Sequence, residues 1–174
     1  MAAKVFVLKV ALRDAKTIWR RIAIRGNQTL DHLHQAIYAA FDREEEHLYS
    51  FYLPPPGSRG GRAAIRDAVE YACPYSAKTP GPLAELFGDE PTKNAAKTRL
   101  EHLGLERGQR FYYLFDFGDE WWHEITVEQT DAEPEEGRYP RILEKNTPSP
   151  PQYPDYDAED GEDDEEDEEE EDGA

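Results

Sequence analysis

Only one of the 174 residues is a cysteine, Cys73. An internal disulfide is therefore excluded, zinc sites built on paired cysteines cannot form, and a reducing cytoplasm is the expected compartment. Long apolar runs are missing as well. The N-terminal stretch MAAKVFVLKVAL alternates in polarity and is broken by Lys4 and Lys9, too short and too charged for a membrane span or the core of an export signal. No internal repeat is visible, and serine is scarce, with four in the chain and the first at Ser50.

Acid, by contrast, is abundant, and it is concentrated at one end. The formal net charge is −18, yet Asp155 to Asp172 carries 15 acidic residues and no basic one, which leaves 23 acids against 20 Lys and Arg in the body, a charge of −3. A run of that kind repels itself and offers no apolar surface to offset the entropy of ordering, so residues 155–174 are expected to be a disordered, solubilising tail after a single domain over 1–154. Docking of basic partners and mimicry of nucleic acid are the functional alternatives for the tail.

Within the body, a two-residue apolar period over 4–12 (Phe6, Leu8, Val10, Leu12) and 18–25 (Ile18, Ile22, Ile24) predicts an opening β-hairpin. Thr29 suits the cap of a helix in which Leu30, Leu33, His34, Ile37 and Phe41 recur at helical spacing, with Asp31 in its first turn. His47 to Leu53 reads as a third strand, ended by Pro54-Pro55-Pro56-Gly57. Residues 57 to about 97 lack sustained periodicity and read as an irregular excursion. Phe111–Phe117 and Trp122–Glu128 predict a second hairpin turning at Asp116-Phe117-Gly118-Asp119 with Gly118 supplying the turn, and the later prolines mark an extended strap. The expected fold is α+β: a small mixed or antiparallel sheet whose N- and C-terminal hairpins pack against one main helix.

Chemistry concentrates in Tyr112 to His123, where three carboxylates, a histidine and many aromatics fall within twelve residues. Asp116, Asp119 and His123, with His47, could hold a divalent metal or do acid–base work; a tight turn whose aspartates accept backbone N–H groups is the structural alternative. Asp116-Phe117-Gly118 also spells the magnesium motif of protein kinases, but no Gly-rich loop or His-Arg-Asp loop precedes it, so that reading fails. Arg20 shares a strand face with Ile18 and Ile22 and is expected to pair with a carboxylate, Asp116 or Asp119. His34 lies on the apolar face of its helix, as a core histidine or a ligand. Seven Lys or Arg against one acid precede Gly26, which with Trp19 suggests either a nucleic-acid surface or an ordinary solvated hairpin face.

Taken together, these residues resemble the Ri-plasmid third-open-reading-frame-like family, whose members are also labelled insertion-element passenger TnpR-like proteins. The resemblance rests on Ile18-Trp19-Arg20-Arg21-Ile22, on Thr29-Leu30-Asp31-His32-Leu33-His34, on His47-Leu48 with Phe51, and on Tyr113 to Asp119 with Trp122, His123 and Glu128. It implies a compact α+β domain associated with plasmids and transposable elements. Many relatives end in a cysteine followed by Pro-Pro-Glu-Asp, where this chain has Ser149-Pro150-Pro151-Gln152-Tyr153-Pro154. The resolvase-like label finds no chemistry here: no serine lies near the N-terminus, and no His-x-x-Arg occurs for a tyrosine recombinase.

The reading is a cytoplasmic, non-enzymatic accessory or binding protein that meets a macromolecular partner, a protein first and nucleic acid second, through the aromatic-acidic hairpin. Its binding candidates are Trp19, Arg20, His34, His47, Asp116, Gly118, Asp119, Trp122, His123 and Glu128. No cofactor is implied, and no membrane partner. The alternatives are a metal-dependent hydrolase or nuclease using Asp116, Asp119 and His123, and a DNA-binding protein using the basic N-terminal hairpin.

Overall fold

The computed structural model describes residues 3–77 and 92–153; the acidic run expected to be disordered lies outside the described residues. Eight strands build one mixed sheet: β1 (Val5–Leu12), β2 (Ala15–Arg25), β3 (Tyr49–Leu53), β4 (Val69–Ala72), β5 (Lys93–Asn94), β6 (Arg110–Phe115), β7 (Trp121–Ala132) and β8 (Arg141–Lys145). They run in the order β5-β4-β3-β6-β7-β1-β2-β8. Every neighbouring pair is antiparallel except β4 with β5. No helix among the described residues is long and apolar enough to cross a membrane.

Strand alternation sorts the side chains into an inner and an outer face. Phe6, Leu8, Val10 and Leu12 of β1 stand beside Ile22 and Ile24 of β2, Ile125 and Val127 of β7, Phe111, Tyr113 and Phe115 of β6, and Tyr49 and Phe51 of β3, all buried in one core. Helix α1 (Leu30–Ala40) lies on that face and adds Leu33, Ile37 and Ala40. Its start is fixed locally. The Thr29 hydroxyl accepts from the His32 N–H at 3.3 Å while the Thr29 N–H donates to Nδ1 of His32 at 3.0 Å, a reciprocal cap that fills two of the helix's orphan donors.

The expected small α+β sheet is corrected by this architecture. Among the described residues a single helix of seven or more residues faces an eight-stranded sheet, so the fold is mainly β. Two kinds of strand escaped the periodicity. Within the stretch read as irregular, the short helix α2 (Gly61–Arg66) is followed by β4 and β5, four and two residues long, too brief for a two-residue period to register. In the proline-rich strap, β8 reads as polar because it is an edge strand, paired only with β2 and exposed along most of its length. The α2 entrance closes over the outer face: the Gly61 N–H donates to the Tyr112 hydroxyl at 3.0 Å. A Cβ on Gly60, at φ +85°, would meet that hydroxyl at 2.9 Å, so only glycine fits there.

Replacing Thr29 with alanine is expected to cost about 1 kcal/mol of stability through loss of the cap, whereas Leu33→Ala, at the centre of the helix–sheet contact, is expected to cost about 2–5 kcal/mol. Urea denaturation of both variants checks the ranking, and equal losses would show that the cap is not an independent contributor.

Candidate functional site

On the outer face, Trp19, Trp122 and Glu128 sit in a ladder of alternating charge. Lys9 and Arg21 lie over the Trp19 ring at 5.0 and 5.1 Å, and Arg13 over the Trp122 ring at 5.4 Å. Arg21 grips Glu128 with two nitrogens, at 2.7 and 3.3 Å, and reaches Glu144 as well. Lys16 pairs with Glu124 at 3.4 Å. The basic hairpin foreseen as a nucleic-acid surface therefore has Lys16 and Arg21 already matched by glutamates from β7 and β8.

Arg20 occupies the inner face and is fully buried. The expected pairing with Asp116 or Asp119 is not made. Instead Nε donates to the Ala40 carbonyl at 2.8 Å, Nη1 to the Trp19 carbonyl at 2.9 Å and Nη2 to Oγ of Ser149 at 2.8 Å, with the guanidinium over the Phe41 ring at 4.8 Å. Ala40 ends α1, so the negative end of the helix dipole stands in for a carboxylate. Burial lowers the Arg20 pKa, and Asp42 nearby works against that.

Between α1 and β3 the chain runs through residues 41–48, a connector that opens with Asp42 in the left-handed region at φ 53°. The C-terminal strap holds it down. Oε1 of Gln152 accepts from the N–H groups of Glu44 and Glu45 at 2.8 and 3.2 Å, and its Nε2 donates to the Glu45 carbonyl at 3.1 Å. The Tyr153 hydroxyl bonds Glu45 at 2.9 Å and Nε2 of His47 at 2.7 Å. Ser149, Gln152 and Tyr153 thus tie the strap to Arg20 and to the connector.

His47 and Asp116 are brought together, with Nε2 3.5 Å from Oδ2. The other oxygen of Asp116 accepts from the N–H groups of Gly118 and Asp119 at 3.0 and 3.3 Å, so the turn is built by the aspartate. The positive-φ residues of this turn are Asp116 and Glu120, at 62° and 52°; Gly118 is not one, which corrects its expected role. Asp119 is exposed at the tip.

His123 points the other way, into the core, completely buried against Phe41 at 4.9 Å and Tyr113 at 5.1 Å. Its Nδ1 donates to the Trp121 carbonyl at 2.9 Å, which leaves Nε2 unprotonated and without a partner among the described residues. Burial and the nearby Arg43 charge push its pKa down to about 3. Asp116, Asp119 and His123 therefore do not converge, and among the described residues no three His, Cys, Asp or Glu side chains are placed to share a metal ion.

The sequence reading overlooked Arg43. Its guanidinium is buried over the Trp121 ring at 4.1 Å, and Nη1, Nη2 and the Trp121 indole nitrogen lack partners among the described residues. Burial lowers its pKa to about 10. As the one basic residue in Asp42-Arg43-Glu44-Glu45-Glu46, it looks like part of a solvated charge run, and that is why it passed unnoticed. Also overlooked was a relay through His34. Burial holds the Tyr113 hydroxyl well above its ordinary pKa, so it donates to Nδ1 of His34 at 2.6 Å, and Nε2 donates on to Glu46 at 3.3 Å. The His34 ring stacks on Tyr49 at 3.8 Å.

These contacts rank two buried arginines. Arg20→Met removes the buried donors that hold the Ala40 carbonyl and the Ser149 hydroxyl and is expected to cost on the order of 3 kcal/mol, whereas Arg43→Met removes donors that have no acceptor among the described residues and is expected to change stability by less than about 1 kcal/mol. Thermal or urea unfolding reads both, and the reverse order would refute the bonding pattern. His123 sets a pH dependence. Its folded pKa lies below the unfolded value of about 6.5, so its contribution is complete above that value and is lost as pH falls toward 3, by a few kcal/mol at roughly 1.4 per unit. In His123→Phe, unfolding followed from pH 7 to 4 is expected to show a shallower loss than the natural chain; identical slopes would contradict the buried neutral imidazole.

Comparison with known proteins gives the same picture of kinship. A protein from Sinorhizobium fredii (strain NBRC 101917 / NGR234), described as uncharacterized protein y4hQ, is 31% identical over 154 residues, spanning 87% of this chain and 67% of its own. The crystal structure of MM3350 from Methanosarcina mazei Go1, a protein of unknown function, matches with a TM-score of 0.64 at 24% identity, over 87% of this chain and 74% of that one, which establishes a shared fold. The profile of the plasmid pRiA4b ORF-3-like proteins matches residues 4–168. The chain belongs to the plasmid pRiA4b ORF-3-like protein family.

Proposed function

We propose that this protein is a non-catalytic accessory module that binds a protein partner through the tip of the β6–β7 hairpin and the connector beside it. The observation that carries this reading is a convergence of exposed apolar side chains. Leu48, Phe117 and Tyr153 are 39%, 41% and 47% exposed, three of the seven large apolar residues in that condition among the described residues. They meet around one junction: the Leu48 carbonyl accepts the Asp116 N–H at 2.9 Å, Phe117 follows Asp116, and Tyr153 bonds His47, which faces Asp116. A patch of that composition, anchored on a rigid turn, suits protein contact.

Its rim is acidic. Glu44, Glu45, Glu46, Asp119 and Glu120 are all exposed, so the complementary partner surface is basic around an apolar centre. The same rim repels phosphates, which weakens the nucleic-acid alternative. Most hairpin aromatics do not contribute, since Phe111, Tyr112, Tyr113 and Phe115 are each 1% exposed and belong to the packed sheet. The recognition surface is thus narrower than the aromatic-acidic hairpin taken whole.

A photo-crosslinking residue placed at Phe117 in the native host is expected to give a discrete protein adduct that a crosslinker at Gln129, at the far end of β7, does not. Leu48→Asp should abolish that adduct without altering thermal unfolding, and Phe117→Ala should weaken the isolated complex by at least about tenfold. Adducts that are the same from both positions would count against the patch.

A further inference from the structure

Next to the patch lies a groove of about 600 Å³, bounded by the first turns of α1, the connector and the turn at Pro74 and Tyr75. Leu48 and His47 belong to both the patch and the groove. Two carboxylates from separate elements face this space: Asp31 from α1 and Glu46 from the connector. Each is positioned by an aromatic partner. The Tyr49 hydroxyl donates to Asp31, and Nε2 of His34 donates to Glu46 at 3.3 Å. His34 and Tyr49, stacked on each other with ring planes 9° apart, form the buried floor behind the carboxylates, and Tyr75 stands 90% exposed at the opening.

No Lys or Arg lines the groove among the described residues. Burial lowers the His34 pKa, so its ring is neutral near pH 7 and leaves both carboxylate charges uncompensated. Each carboxylate has about four acceptor directions and spends only one or two of them on the protein. The ligand implied is a cation that donates several hydrogen bonds. It is not a metal ion, because no three donor side chains are placed to share one among the described residues, and the volume far exceeds what an ion fills. Between the two common organic cations, a planar guanidinium presents donors along two edges and a face for stacking, which suits two carboxylates on different walls and an exposed tyrosine; an ammonium offers a compact point charge and no stacking face.

We propose that this groove receives an arginine side chain of the protein partner, held between Asp31 and Glu46 with the exposed Tyr75 beside its plane. The proposal rests on the protein-binding reading above and adds the residue type that the partner must present. Position supports it as well: an arginine entering here would extend from the basic surface required by the acidic rim, while the partner's apolar centre covers Leu48 and Phe117.

N-acetyl-L-arginine methylamide, titrated into the ¹⁵N-labelled full chain, is the direct probe. Saturable shifts are expected at the amides of residues 31–35 and 46–49 and of Cys73 and Tyr75, weaker shifts with the lysine analogue, and none with the leucine analogue. Glu46→Gln, at a side chain 68% exposed and so not needed for folding, is expected to weaken the arginine analogue at least about tenfold, with unfolding unchanged. Absence of saturable shifts at those amides, equal binding of the leucine or lysine analogue, or unaltered affinity in Glu46→Gln would each overturn the proposal. The crosslink at Phe117 separates this outcome from the broader reading. Adducts that persist unchanged in Glu46→Gln while the arginine probe fails would remove the groove and keep the patch, and loss of the Phe117 adduct in the natural chain would remove the patch whatever the groove binds.

Discussion

Three distant segments meet at the buried guanidinium of Arg20: the second strand, the last turn of α1 and the C-terminal strap. A carboxylate partner would have neutralised the charge but tied it to one segment. Carbonyls and a hydroxyl spread the same donors over three, and the helix end supplies the compensating partial charge. Everything around the candidate surface follows from this junction. With α1 held at its C-terminus, the connector must leave at Asp42 in a left-handed turn, and with Ser149 held, Gln152 and Tyr153 come to lie over the connector.

The family pattern around Ile18-Trp19-Arg20-Arg21-Ile22 acquires a division of labour in this light. Adjacent residues on β2 point to opposite faces. Arg20 organises the core side, while Arg21 links β7 and β8 across the outer face through Glu128 and Glu144. Two neighbouring arginines thus tie the same edge strand in place from both sides, one through the strap that follows β8 and one through β8 itself.

Local rules made much of the fold legible. Thr29 and the helical recurrence of Leu30, Leu33 and Ile37 announced α1, the alternation in β1 and β2 announced the first hairpin, and the apolar segments on either side of Asp116-Phe117-Gly118-Asp119 announced the second. What stayed hidden depended on neighbours. β8 shows no buried stripe because the sheet ends there, and β4 is only four residues long. Within the site, Asp116 was correctly placed in a turn that binds backbone, but the left-handed residue was Asp116 itself rather than the nearby glycine. His123 and His34 stand at hydrophobic positions of their elements, and nothing in a strand or helix period tells which nitrogen will find a partner. Arg43 shows the limit most clearly. Its burial depends on Trp121 and Phe115, more than seventy residues away and invisible to any window around it.

Ser149 lies 129 residues beyond Arg20, a separation that matters for a chain made from its N-terminus. While β1, β2 and α1 are already outside the ribosome, the outer edge of β2 has no neighbour and the Arg20 guanidinium has one fewer acceptor. Both wants are met only when β8 and the strap emerge. The nascent domain therefore carries an open strand edge until β8 emerges, and closing that edge follows the assembly of the rest of the sheet.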